Sequence, residues 1–131
     1  MTVRLDWQGD LRFQGTANST PIAVDGDHDA APSPVQMLAA GLAGCMAIDV
    51  VHILERMRTP AKSLHIELTI RRADSDPRRV IAAQLRFAIS GDVPDKNVAR
   101  ALELSHDTYC SVWHSLRQDI DLQLDYEIEP A

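Results

Sequence analysis

Cys45 and Cys110 are the two cysteines of this chain, and each sits in a segment built to position a thiol. Only the thiolate is a nucleophile or a metal ligand, and free cysteine ionises near ~8.5. The two residues stand 65 positions apart with no Cys-x-x-Cys motif between them, so whether their sulfurs meet depends on the fold. If they meet, the chemistry is thiol redox; if they do not, they are two core residues.

Each cysteine has polar neighbours at helical spacing. Cys45, Asp49 and His52 follow an i, i+4, i+7 pattern and share one helix face, as do His106, Cys110 and His114 at intervals of four. Asp49 and His52 fit the point where a helix leaves the core, and His106 and His114 fit surface positions. A second reading is a metal site of Cys45, Cys110 and either His106 or His114, three ligands of types that zinc accepts. Apolar packing would push the Cys45 thiol up, and Asp49 one turn on would push it further, so a reactive Cys45 calls for a cation from elsewhere. Cys110, read as lying early in a helix that Ser105 or Asp107 caps, would gain from the positive end of the helix dipole. No Gly-rich phosphate loop, HExxH or GxSxG motif competes with the thiols.

The elements that must position these residues can be read from periodicity. Val3, Leu5 and Trp7 alternate with polar residues, Gln8-Gly9-Asp10 turns, and Leu11 and Phe13 resume, which predicts a hairpin of residues 2–8 and 11–17. Residues 21–24 suggest a third strand. Ser33 and Gln36 form a capping box with Pro34 at the first helical position, opening a helix to about Arg58. Its first half, Met37 to Met46, is apolar all round and so must be buried all round. One chain of 131 residues struggles to do that, which implies cover from a second subunit. Leu64, Ile66, Leu68 and Ile70, then Ile81 to Ile89, alternate as two half-buried strands. A short amphipathic helix around Val98–Leu104, the Cys110 helix and a strand over 120–128 complete the order. The expectation is one α+β domain over residues 1–131, its long helix laid across a curved antiparallel sheet.

A net charge of −6 argues against nucleic acid or an anionic membrane as partner. The N-terminus lacks the organisation of an export signal, and the apolar helical run reads as shorter than the ~20 residues a bilayer requires. The chain is therefore expected to be cytoplasmic, where cysteines stay reduced unless they work in redox chemistry or bind metal.

Ser33-Pro34, Met37-Leu38-Ala39-Ala40-Gly41, Gly44-Cys45, the 65-residue gap and Leu104-Ser105…Tyr109-Cys110-Ser111-Val112 together resemble the OsmC/Ohr family of cysteine-based hydroperoxide reductases. The resemblance covers nearly the whole chain. Ala47-Ile48-Asp49-Val50-Val51 and Tyr109-Cys110-Ser111-Val112 look most like its OsmC-like branch. It implies an OsmC-like fold and an intertwined homodimer, with the long helices between two sheets. It further implies that Cys45 reduces organic hydroperoxides through a sulfenic acid, that Cys110 closes a disulfide onto it, and that a dithiol reductant reopens it with no metal or organic cofactor. Two departures stand out. Val35 occupies the position, ten before the reactive cysteine, where the Ohr branch has a glutamate. The hairpin arginine of that branch has only Arg4 and Arg12 as counterparts, Arg12 being the candidate to hold the thiolate. With these changes, a protein that keeps the fold and binds a small hydrophobic or thiol ligand at the dimer interface, without turnover, is the alternative.

Overall fold

A computed structural model of the chain describes residues 1–129. It contains three strands, a long helix, two strands, a short helix and a last strand: β1 (Val3–Trp7), β2 (Arg12–Ala17), β3 (Thr20–Asp25), α1 (Pro34–Arg56), β4 (Ser63–Arg72), β5 (Val80–Ser90), α2 (Asp95–Leu104) and β6 (Asp121–Glu129). The chain divides into two compact units, Met1–Ala40 and Gly41–Ala131, with the division inside α1.

The N-terminal unit is an antiparallel β1-β2-β3 meander that pairs Trp7 with Phe13 and Phe13 with Val24. Gly9 supplies the positive φ (99°) that the first turn requires. Val3, Leu5 and Trp7 are all exposed, Trp7 at 67%, so β1 shows uncovered apolar side chains. Asp25 ends β3 almost fully buried. Its carboxylate accepts the backbone N–H groups of Asp27 (3.0 Å) and Ala30 (2.9 Å), which fixes the following loop. The capping box at the start of α1 forms reciprocally: Gln36 N–H donates to Ser33 Oγ (3.1 Å) and Ser33 N–H to Gln36 Oε1 (2.9 Å).

The second unit holds the core. Leu42, Met46, Val50, Ile53 and Leu54 form the buried face of α1 and cluster with Ala83, Leu85, Phe87 and Ile89 of β5 and with Val98, Ala101 and Leu102 of α2. Each large apolar side chain so buried contributes about 1.5–3 kcal/mol. Arg58 takes a left-handed conformation (φ 62°), and Thr59 N–H returns to the Leu54 carbonyl (3.0 Å), stopping the helix before Pro60.

Several expectations change in detail. The strands form two three-stranded sheets, and the second is mixed: β4 runs antiparallel to β5, but β6 runs parallel to β5, from Ala82↔Asp121 to Ser90↔Glu129. Residues 91–120 form the crossover that a parallel pair demands. In its first half the single chain leaves Leu38 of the long helix 42% exposed, and farther on Ile48 is 70% exposed and Val51 39%. At 23 residues, with a mean hydropathy of 1.9 over its best 18, α1 is also long and apolar enough to cross a membrane, by length and composition. The shorter apolar run read from the sequence omitted its second half, where Val50, Val51, Ile53 and Leu54 continue the pattern. Finally, the expected Cys110 helix is absent. The chain leaves α2 through a π-helical turn (Ser105–Tyr109), extends at Cys110, and makes only a short 3-10 turn (Trp113–Ser115).

Candidate functional site

Both cysteines belong to the second unit, and folding brings them together. Cys45 Sγ, Cys110 Sγ and an Asp49 carboxylate oxygen all lie within 4.8 Å of one another. Both thiols are free. A disulfide needs the sulfurs about 2.05 Å apart, so the two would have to approach for one to form.

The backbone explains the placement. α1 presents Cys45 and Asp49 one turn apart on one side. Opposite them, the π-helical turn inserts one extra residue, and Cys110 N–H bonds to the Ser105 carbonyl five residues back (2.8 Å). That widened turn places the fully buried Ser105 so that its hydroxyl donates to Asp49 Oδ2 (2.8 Å), and it delivers Cys110 into the core. Beyond Cys110 the chain turns again. Trp113 N–H donates to Cys110 Sγ (3.3 Å), and the Ser111 hydroxyl lies 3.8 Å from Cys45 Sγ.

The two sulfurs differ in electrostatics. Burial pushes the Cys45 thiol up, but the Val112 backbone N–H, the Cys110 thiol and the Ser111 hydroxyl outweigh it, and the net shift is downward. Asp49 opposes that shift. Cys110 moves the other way. Burial pushes it up to about 11, with Cys45 and Asp49 adding to the rise despite the Trp113 N–H. The half-buried Cys45 thiol is thus the more readily ionised of the two, and the fully buried Cys110 thiol the less.

Within this unit the groups that lower the Cys45 thiol are neutral donors on and beside the segment after Cys110. One sequence expectation about this chemistry is corrected. The dipole benefit expected for Cys110 is lost, because Cys110 follows a helical segment rather than opening one.

The flanking residues sort as follows. His52 is exposed on α1, although the Ile53 and Leu54 that follow it are still in the core, so it does not mark where the helix leaves it. His106 pairs with Asp107 (Nδ1 to Oδ1, 2.7 Å) and stacks near Trp113, while His114 Nε2 donates to the His106 carbonyl (2.9 Å). Neither histidine joins the sulfurs; the third potential metal donor beside them is Asp49. Arg12 belongs to the N-terminal unit, where its guanidinium pairs with Asp25 (3.4 Å) and Asp29 (3.7 Å). Ser105, Ser111 and the Val112 N–H escaped the sequence reading as site groups. Asp49 was noticed for its spacing but assigned to the edge of the core. The signal for Ser111 and Val112 was their adjacency to Cys110, which has meaning only once the turn is known.

Known proteins agree with this architecture. The model of the OsmC-like protein family matches residues 26–125. Protein YhfA of Escherichia coli is 37% identical, with all of each chain covered. A solved structure of a protein from Aquifex aeolicus superposes with a TM-score of 0.91 at 23% identity, covering 99% of this chain and 96% of that one. The organic hydroperoxide resistance protein OhrB of Bacillus subtilis superposes with a TM-score of 0.65 at 15% identity, covering 97% and 98% of the two chains. The α+β arrangement read from the sequence and the similarity to YhfA along its full length have one explanation: the chain belongs to the OsmC-like protein family.

Proposed function

We propose that this chain is a thiol-dependent peroxidase that reduces organic hydroperoxides. Cys45, as thiolate, attacks the distal peroxide oxygen; the O–O bond breaks, the alcohol leaves after taking a proton, and Cys45 becomes a sulfenic acid. Cys110 attacks the Cys45 sulfur, the sulfenic hydroxyl leaves as water, and a disulfide forms. A dithiol reductant then restores both thiols by exchange. Arg12 remains a candidate to assist the Cys45 thiolate in this cycle.

The observation that carries the reading is the unequal sulfur pair: two free thiols within 4.8 Å, one half-buried and shifted down, the other buried and shifted up. Attack and resolution need that asymmetry. The fold shared with a hydroperoxide resistance protein supports the choice of substrate class. The working form is a homodimer in the cytoplasm; the uncovered apolar side chains of β1, and Ile48 and Val51 on α1, support the second subunit.

The test is consumption of an organic hydroperoxide in the presence of a small dithiol. Turnover by the native protein should fall to background in Cys45→Ser. Equal rates for the two proteins would remove the peroxidase reading.

A further inference from the structure

Asp49 poses a problem that the cycle above leaves open. Its carboxylate stands within 4.8 Å of both sulfurs and works against ionisation of each. Among the described residues of the second unit, no Lys, Arg or His nitrogen comes within 4.0 Å of it. It is held in place all the same, by the hydroxyl of a serine with no exposed surface. A negative group fixed beside two thiols hinders both as nucleophiles unless it takes part in moving a proton.

We propose that Asp49 is the base that accepts the Cys110 proton as Cys110 attacks oxidised Cys45, with Ser105 as the positioning residue that holds the carboxylate. The inference rests on the two-cysteine part of the proposed function, not on hydroperoxide as the oxidant. Cys110 has no exposed surface, so bulk hydroxide has poor access to its proton. Its sulfur already accepts the Trp113 N–H, which leaves its own S–H free to point toward the Cys45–Asp49 side. When Cys45 is a thiolate, its sulfur, within 4.8 Å, competes with Asp49 for that proton. Once Cys45 is oxidised it is no longer an anionic acceptor, and the neighbouring carboxylate is. The S–H bond breaks as the S–S bond forms, and the proton passes to Asp49 and on to the departing hydroxyl, which leaves as water. Among the described residues, the titratable groups placed beside Asp49 are Cys45 on its own helix and Cys110 across from it; Ser105, its hydrogen-bond donor, does not titrate in this range. General-base assistance of this kind contributes roughly 10²–10⁴-fold.

The experiment replaces peroxide by a nitroaryl disulfide that releases a coloured thiolate. Cys45 attacks it, releasing one aryl thiolate and leaving a Cys45–aryl mixed disulfide; Cys110 then displaces a second aryl thiolate. The rate of the second release reads Cys110 deprotonation directly. In Asp49→Asn the first release should be unchanged or faster. The second should slow at least about tenfold at neutral pH and climb with pH, as solvent hydroxide takes over. Asp49→Glu should recover part of the rate, and Ser105→Ala should lie between. A far-ultraviolet circular dichroism spectrum and a cooperative thermal transition like those of the native protein certify that each variant is folded. A second release in Asp49→Asn as fast as native, or faster, overturns the proposal, as does a native protein that never shows the second release. If the nitroaryl reaction behaves as expected but hydroperoxide does not oxidise Cys45, the peroxidase reading falls and the role of Asp49 stands.

Discussion

The Ser105 hydroxyl donates to Asp49 Oδ2 at 2.8 Å, joining two residues 56 positions apart. The bond ties the end of α2 to the middle of α1, beside the sulfur pair; Ser105 is fully buried and Asp49 half-buried. Ser105→Ala removes the donor and leaves Asp49 Oδ2 without it. The expected cost is about 1–3 kcal/mol of folding stability, since a partly buried acceptor loses its partner. Chemical denaturation of the reduced protein measures it; a loss below about 0.5 kcal/mol would mean that water replaces the hydroxyl freely.

The two thiols should react in a fixed order. Cys45 is half-buried and shifted down; Cys110 is buried and shifted up to about 11. Under limiting iodoacetamide near neutral pH, carbamidomethyl label should enter Cys45 at least about tenfold faster than Cys110. Peptide mass spectrometry of timed samples gives both rates. Cys110 labelling first would reverse the assignment of attacking and resolving thiols.

That asymmetry was only half legible in the sequence. The cysteines, the capping box and the alternating strands could be read because each depends on local spacing. The π-helical turn could not, because a single extra residue leaves no periodic trace in Ser105–Tyr109. Without it, Cys110 was placed at the start of a helix, and its thiol was credited with help from the wrong end of a dipole. The parallel β5–β6 pair was hidden for a related reason. Leu122, Leu124, Tyr126 and Ile128 alternate identically whichever way the neighbouring strand runs. Asp49 was visible by spacing, but its meaning came from Ser105 and Cys110, which lie far along the chain.

Cys110 should also leave a mark on stability at high pH. Its folded-state pKa is raised from 9.0 to about 11, so between those values the folded chain holds a proton that the unfolded chain has lost. Linkage then requires stability to be fully present below pH 9.0 and to decline as pH rises toward about 11. Thermal unfolding of the reduced protein across that window should show a falling Tm. The decline should be shallower in Cys110→Ala; identical slopes would show that other groups carry it.

Asp25 gives the opposite sign. The backbone N–H groups of Ala30 and Asp27 hold its carboxyl below the usual range, with the Arg12 guanidinium adding a smaller pull. Its contribution is therefore present above the unfolded value and lost as pH falls through the folded one. Acidification should loosen the loop after β3, seen as faster hydrogen exchange at the Asp27 and Ala30 amides. Asp25→Asn should loosen the same amides at neutral pH and make them less sensitive to acid, since it removes the charge that Arg12 and the two N–H groups recognise. Unchanged protection in the variant would mean that the loop is held by something other than this carboxylate.

The uncovered apolar side chains predict self-association. In the N-terminal unit Trp7 is 67% exposed beside the exposed Val3 and Leu5 of β1; in the second unit Ile48 is 70% exposed on α1; large apolar side chains gathered on a surface, as on β1, mark an interaction site. If a second copy covers them, the native protein should sediment as a dimer at micromolar concentration. Trp7→Arg and Ile48→Glu should each shift it toward monomer, since a charge placed in an apolar interface is left unpaired. The same variants should lower Tm in a concentration-dependent way, because folding and association are then linked by mass action. A native protein that sediments as a monomer at every concentration would require another cover for these side chains, and α1, long and apolar enough for a bilayer, would then be tested for lipid binding by flotation with vesicles.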